Sequence, residues 1–348
     1  MSRIPVGILG ATGMVGQRFI QLLRDHPWFE VTALAASDNS AGRTYAEACH
    51  WLLPTPMPEG VSDLTVHPVA ETLDCGLVFS ALPSEVAGPV EDSLANAGVA
   101  VCTNASAHRM DPDVPLLIPE VNAEHTALID RQRQRRGGRG FIVASANCSA
   151  TQLAIALKPL HQAFGLSRVL VVTMQAISGA GYPGLPATDI LDNVVPFIGG
   201  EEDKLESEPR KLLGQLQSGL IVTAPFEISA QCNRVPVRDG HTECVSIQLE
   251  RPAREEEMIE ALRDFEATGE VSGLPTTPPR PILVSERVDR PQPLRDCEAG
   301  EGMCVTVGRV RHCPTLDFKF VVLGHNTVRG AAGGAIHNAE LLVAQGWI

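Results

Sequence analysis

The stretch IPVGILGATGMVGQRFIQLL, residues 4–23, decides the fold of this chain. Its first part is a short apolar run, read as a strand buried on both faces. Its last part carries Met14, Val15, Phe19, Leu22 and Leu23 on one helical stripe, which Pro27 ends. Between them stand Gly10, Gly13 and Gly16, spaced three apart. Glycines there let a backbone approach a pyrophosphate, and the helix start offers free N–H groups and the positive end of a dipole. Such a pattern is weak alone. Placed between a strand and a helix it points to a dinucleotide rather than to a tight turn without a ligand. The candidate cofactor loop is Gly10, Ala11, Thr12, Gly13, Met14, Val15 and Gly16.

Outward from this turn the chain alternates. Residues 29–36, 76–82, 99–102, 115–118 and 141–145 read as short buried strands, and residues 84–97 as a helix. Alternation of this kind specifies a doubly wound parallel sheet, an α/β Rossmann domain. The second strand runs into AASDNSAGRTY. Ser37, Ser40 and Arg43 suit the 2′-phosphate of NADP, whereas Asp38 suits the ribose hydroxyl of NAD. NADP is the expected cofactor, with NAD left open. Beyond residue 148 the texture changes. A helix over 149–161 is followed by longer, alternating strands at 168–176, 227–235, 242–250, 303–311 and 317–323. Those predict a mixed sheet with one face covered. Residues 274–282 (LPTTPPRPI) read as a rigid connection, and the Gly/Ala-rich segment after Asn326 as a closely packed helix.

At 348 residues the chain exceeds one ordinary core, so two domains are expected. A hydrophobic content of 44% with 20% charged residues fits a soluble globular protein. A net charge of −13 argues against a nucleic-acid grip. The basic run Arg131, Arg133, Arg135, Arg136 and Arg139 reads as a solvated helix end. No apolar run reaches membrane-spanning length and no signal peptide is visible. Nine scattered cysteines without a C-x-x-C pair imply reduced thiols and a cytoplasmic protein. Cys49-His50 has no partners nearby in sequence, so no metal is expected.

One thiol stands apart. In SANCSATQLAI, residues 145–155, Cys148 precedes a helix and has small neighbours. A helix N-terminus lowers a thiol pKa from about 8.5 toward neutrality, which would make Cys148 a nucleophile. Cys75, Cys102, Cys232, Cys244 and Cys304 read instead as small core residues. In CNRVPVRDGHTE, residues 232–243, Arg234 and His241 flank a Pro/Gly turn. An arginine fork suits a carboxylate and a histidine suits proton transfer near neutral pH. Lys158 and Glu243 lie beside site residues and receive no role.

SANCS, MQAISGAGYPG, FIGGEEDKLESEPRK, CNRVPVRDGHTE and GHNTVRGAAGGAIHNAELL, in that order, resemble aspartate-β-semialdehyde dehydrogenase, most closely its archaeal and fungal-type branch. The resemblance implies a Rossmann domain over residues 1–147. It also implies a glyceraldehyde-phosphate-dehydrogenase-like α+β catalytic and dimerisation domain over 148–326, and a last helix, about 327–348, packing back on the first domain. It implies Cys148 as nucleophile, His241 as acid/base and Gln175 as an orienting residue. Arg234 would take the substrate carboxylate, Glu208 its ammonium, and Lys211 and Arg109 the phosphate. Ser80, Gly179 and Asn326 would join Ser37, Ser40, Arg43 and the glycine loop around NADP. The implied reaction is NADPH-dependent reductive dephosphorylation of L-aspartyl-4-phosphate, which feeds lysine, threonine and methionine synthesis. The implied assembly is a homodimer or homotetramer. A malonyl- or succinyl-CoA reductase on the same scaffold, the more distant N-acetyl-γ-glutamyl-phosphate reductases and a non-enzymatic dinucleotide-binding descendant are the alternatives. Retention of both Glu208 and Arg234 favours an amino-acid substrate.

Overall fold

The computed structural model describes residues 3–71 and 73–348. The strand β1 (Ile4–Leu9) and helix α1 (Met14–Leu23) flank the glycine turn. With β2 (Phe29–Ala36), β3 (Val66–Pro68), β4 (Leu77–Ser80), β5 (Ala100–Thr103), β6 (Leu116–Leu117) and β7 (Phe141–Ser145), β1 forms a seven-stranded sheet. Its order is β3-β2-β1-β4-β5-β7-β6, and its pairings are parallel. β4, β5 and β7 are buried at every residue, because helices cover both faces; that is why they read as continuous apolar runs. The order reverses between β1 and β4, which opens the crevice where such sheets take nucleotides. Helices α2 (Ser84–Asn96) and α3 (Leu128–Arg136) follow β4 and β6.

The chain then runs through α4 (Cys148–Phe164), β8 (Leu166–Gln175), α5 (Glu201–Leu212) and a small hairpin, β9 (Gln215–Gln217) with β10 (Leu220–Val222). It continues through β11 (Glu227–Arg234), β12 (His241–Leu249), α6 (Glu255–Arg263), β13 (Ile282–Ser285), β14 (Val305–His312) and β15 (Phe318–Gly324) to α7 (Gly333–Ala344). The second sheet has six strands in the order β11-β8-β12-β15-β14-β13 and is mixed: β8 is parallel to β11 and antiparallel to β12. α4 is its main cover. Leu153, Leu157 and Leu160 share a core with Val169, Val171, Val245, Ile247 and Phe320. The alternate residues Leu170 (48% exposed) and Val172 (39%) face away from that core. Cys244 also lies on the exposed side, so it is not the core residue that its strand context implies. Ala335, Ile336 and Ala339 of α7 pack with Phe79, Cys102 and Val143 of the parallel sheet.

Three short pairings escape a reading by pattern. β3 has only three residues, too few to show a period. β9 and β10 are exposed or half-buried throughout and are joined by Ser218 and Gly219, both at positive φ, a turn of the primed kind. β13 begins where the proline-rich segment ends and pairs with β14. The basic run is also more than a solvated end. Arg133 lies over the rings of Phe141 (5.1 Å) and Trp347 (5.3 Å). Arg135 pairs with Asp113 (2.6 Å), and the buried Arg136 with Asp92 (2.6 Å).

Two glycines make the first turn possible. Gly10 holds φ +74°, and a Cβ on Gly16 would lie 2.2 Å from the Gly10 carbonyl oxygen. That contact is with backbone and cannot be relieved by a rotamer. Gly16→Ala is therefore expected to destabilise the fold by about 1–3 kcal/mol, measured as a lower urea midpoint. An unchanged midpoint would contradict the close turn.

Candidate active site

Strand ends from both sheets converge. β7 leads directly into Asn147 and Cys148, and the turn after β5 carries Arg109. β8 and β11 run parallel and end at Gln175 and Arg234, which face each other in register. β12 runs the opposite way and starts at His241. Parallel ends and an antiparallel beginning thus deliver three side chains to one edge.

Asn147 caps α4. Its Oδ1 accepts from the N–H groups of Ser149 (2.9 Å) and Ala150 (3.1 Å), the ordinary chemistry of an asparagine cap. Its own backbone N–H donates to Glu208 Oε2 (2.6 Å), and its Nδ2 donates to Glu201 Oε1 (2.8 Å). Gln175 Nε2 donates to that same Glu201 oxygen (3.1 Å). Glu201 and Asn147 are members of the site that spacing and motif did not single out. The only sequence signal was an asparagine before a helix, a capping preference.

The other Glu208 oxygen accepts from Arg109 (3.0 Å), which also donates to the Asn104 carbonyl (2.7 Å). Lys211 donates to the carbonyls of Arg109 (2.7 Å), Asp111 (2.8 Å) and Val114 (2.9 Å). Burial pushes Lys211 down to about 8. The structure therefore brings Glu208 and Arg109 together and uses Lys211 to prop the turn that presents Arg109.

Ala176 joins the remaining pair. Arg234 donates to its carbonyl (2.8 Å), and its N–H donates to His241 Nδ1 (3.0 Å). With Nδ1 accepting, the neutral ring carries its proton on Nε2, which is buried without a partner among the described residues. Burial, then the Arg234 charge, push His241 down to about 3, so the ring is neutral at pH 7. A Cβ on Gly179 would come within 2.8 Å of Arg234 and 3.1 Å of His241, so a side chain there would displace one or both of them. Gly330 has the same relation to Cys148, at 2.6 Å.

The Cys148 thiol behaves differently from the sequence expectation. Burial pushes it up to about 12, and Glu201 adds to the rise; Arg109, the Ser149 N–H and Arg234 pull against them. The helix start is present, but desolvation outweighs it.

Around the glycine turn, no side chain among the described residues caps α1, which leaves its first N–H groups available to an anion. Together with the Gly16 contact, this fits a pyrophosphate cradle. Ser37, Asp38, Asn39 and Arg43 are exposed in the turn after β2, with Ser40 half-buried among them and Arg43 bonded to the Glu47 carbonyl. Ser80 closes β4 and is buried. Asn326 accepts from the Gly240 N–H (2.9 Å) and donates to Ser178 (2.8 Å), fixing the turns beside His241 and Gly179. Inactivation of the free protein by iodoacetamide should climb steadily from about pH 7 to pH 10 without levelling near the ~8.5 of an ordinary thiol. A plateau near neutrality would show the thiol already ionised at rest.

Two family models match the chain: "Semialdehyde dehydrogenase, NAD binding domain" over residues 5–129 and "Semialdehyde dehydrogenase, dimerisation domain" over 157–329. An aspartate-semialdehyde dehydrogenase of Archaeoglobus fulgidus is 51% identical over 99% of both chains. The aspartate semialdehyde dehydrogenase of Candida albicans, solved with NADP, is 45% identical and superposes with a TM-score of 0.92 over 100% of both chains. Aspartate semialdehyde dehydrogenase II of Vibrio cholerae, solved complexed with ASA, is 29% identical with a TM-score of 0.78 over 99% of both.

Proposed function

The chain belongs to the aspartate-semialdehyde dehydrogenase family, and from that premise we propose that it converts L-aspartyl-4-phosphate to L-aspartate-4-semialdehyde and phosphate through a thioester on Cys148. The reaction serves amino-acid biosynthesis, toward lysine, threonine and methionine. The observation that supports the reading best is the double use of Ala176, which sets Arg234 and His241 side by side at the edge where Cys148 starts its helix.

Cys148 attacks the acyl carbon, the bond to phosphate breaks, and a thioester remains, so one hard step becomes two easier ones. The glycine loop, with Ser37, Ser40, Arg43, Ser80, Gly179 and Asn326, holds the dinucleotide. When bound, NADPH supplies the hydride. His241 offers its Nε2–H to the oxygen on which negative charge develops, so the tautomer favours the acid half of its role. The backbone N–H of Cys148 itself, which the Asn147 cap does not take, supports the same oxygen. Gln175, held by Glu201, orients the substrate. Arg234 takes the α-carboxylate as a fork and Glu208 takes the ammonium. Arg109 and Lys211 meet the phosphate, and Lys211 also steadies the turn that carries Arg109. A buried carboxylate already paired with an arginine suits an amino-acid head group better than a CoA thioester.

We assign the nucleotide domain to residues 1–147 and the catalytic domain to 148–326, with the last helix returning to the first. The assembly is a homodimer, or a tetramer built from it, formed through the open face of the mixed sheet that exposes Leu170 and Val172. Among the described residues no helix is long and apolar enough to cross a membrane, and we place the protein in the cytoplasm.

Cys148→Ala should abolish phosphate-dependent oxidation of the semialdehyde while NADP binding persists. Arg234→Lys should lower kcat/KM by about 10–100-fold, the worth of one charge-assisted hydrogen bond. An unchanged kcat/KM would remove the carboxylate role. In light scattering, Leu170→Asp with Val172→Asp should halve the particle mass; retention of the larger mass would place the interface elsewhere.

A further inference from the structure

One buried carboxyl group touches the catalytic frame without a part in the chemistry above. Glu243 lies two residues after His241 on β12 and is wholly buried. Its Oε1 accepts from Gln152 Nε2 (2.7 Å). That same nitrogen donates to the carbonyl oxygen of His241 (2.9 Å). Gln152 sits on α4 one turn beyond Cys148, on the same side of the helix. The two hydrogens of one amide therefore fasten the strand that begins with His241 to the helix that begins with Cys148.

The link has little slack. Gly324 pairs with His241 across the sheet, and a Cβ there would come 2.3 Å from Gln152 Oε1. At the other end, Glu243 Oε2 and Ser149 Oγ are both buried without a hydrogen-bond partner. The hydroxyl still lies near enough to draw the carboxyl down. Burial dominates and holds Glu243 well above the usual carboxylate range.

We propose that Glu243 is the positioning residue that locks His241 against the nucleophile's helix, acting through the side-chain amide of Gln152. It meets neither substrate nor cofactor. The proposal rests on the roles given to Cys148 and His241 above. The carboxyl presents an oxygen that accepts from Gln152, and glutamine offers the same acceptor at the same size. Leucine offers none, and it leaves a buried amide hydrogen unpaired.

The test is steady-state kinetics of Glu243→Gln, Glu243→Leu, Gln152→Met and the Glu243→Leu/Gln152→Met double variant. Measurements follow phosphate-dependent semialdehyde oxidation, with the solvent deuterium isotope effect on kcat. Glu243→Gln should stay within about threefold of the parent. Glu243→Leu and Gln152→Met should each lose about 10–100-fold in kcat, the scale of a small misplacement of a catalytic group. KM values should hold within about twofold, and the solvent isotope effect should rise as the proton transfer slows. The double variant should be no worse than the worse single, because both break one link. Parental kcat in Glu243→Leu, a loss shared equally by KM, additive losses, or a Glu243→Gln variant as impaired as Glu243→Leu would each overturn the proposal. If Glu243→Leu does not fold, Gln152→Met breaks the same link with the carboxyl in place, and its kcat decides. A His241→Asn control with parental kcat would instead sink the reading of His241 itself, whatever the Glu243 variants show.

Discussion

Asn147 uses every hydrogen-bonding group it has, and the site depends on that. Its side-chain oxygen caps α4, its side-chain nitrogen holds Glu201, and its backbone N–H holds Glu208. Its carbonyl accepts from both the N–H (2.8 Å) and the hydroxyl (3.0 Å) of Thr151. One residue between β7 and α4 thereby fixes the nucleophile, and it does so by contacting the two carboxyl groups that organise everything else. Glu201 carries the constraint to Gln175, and Glu208 carries it to Arg109. A cap normally contributes about 1 kcal/mol to a helix. Here the larger consequence is geometric: the first turn of α4 cannot move without breaking bonds to α5, whose Glu201 in turn holds Gln175 of β8.

The electrostatics of the site at rest follow from burial rather than from the helix dipole. A thiol raised from 9.0 to about 12 reflects roughly 4 kcal/mol against ionisation, whereas a helix N-terminus returns about 0.3–1 kcal/mol. His241 is pressed the other way by the same cause, so the free protein holds a neutral thiol and a neutral imidazole. A thiol that is neutral when the site is empty is also less open to adventitious oxidation.

The parallel sheet and its glycine turn were legible because fully buried strands leave continuous apolar runs and because three glycines stood between a strand and a helix. Five of the six strands of the mixed sheet were legible from their alternation, within a residue or two at each end; the short β13 was not. What stayed hidden has physical reasons. The hairpin of β9 and β10 buries almost nothing, so it leaves no hydrophobic period. Cys244 faces outward because Glu243 faces inward, an inversion of the usual preferences that only the register with β8 reveals. Glu201 is 54 residues from Asn147 in sequence, and the bond between them exists only once α5 has packed on α4. Spacing likewise gives no view of the three carbonyls that the Lys211 ammonium meets.

The central claim is that a Cys148 thioester stands between hydride transfer and phosphate. Rapid mixing of the protein with NADP⁺ and L-aspartate-4-semialdehyde, with phosphate omitted, tests it most directly. A burst of about one NADPH per site should come first, followed by arrest as the thioester accumulates and by resumption when phosphate is added. Steady NADPH formation without phosphate would contradict it, because acyl transfer from Cys148 would then not depend on the anion the site is built to receive.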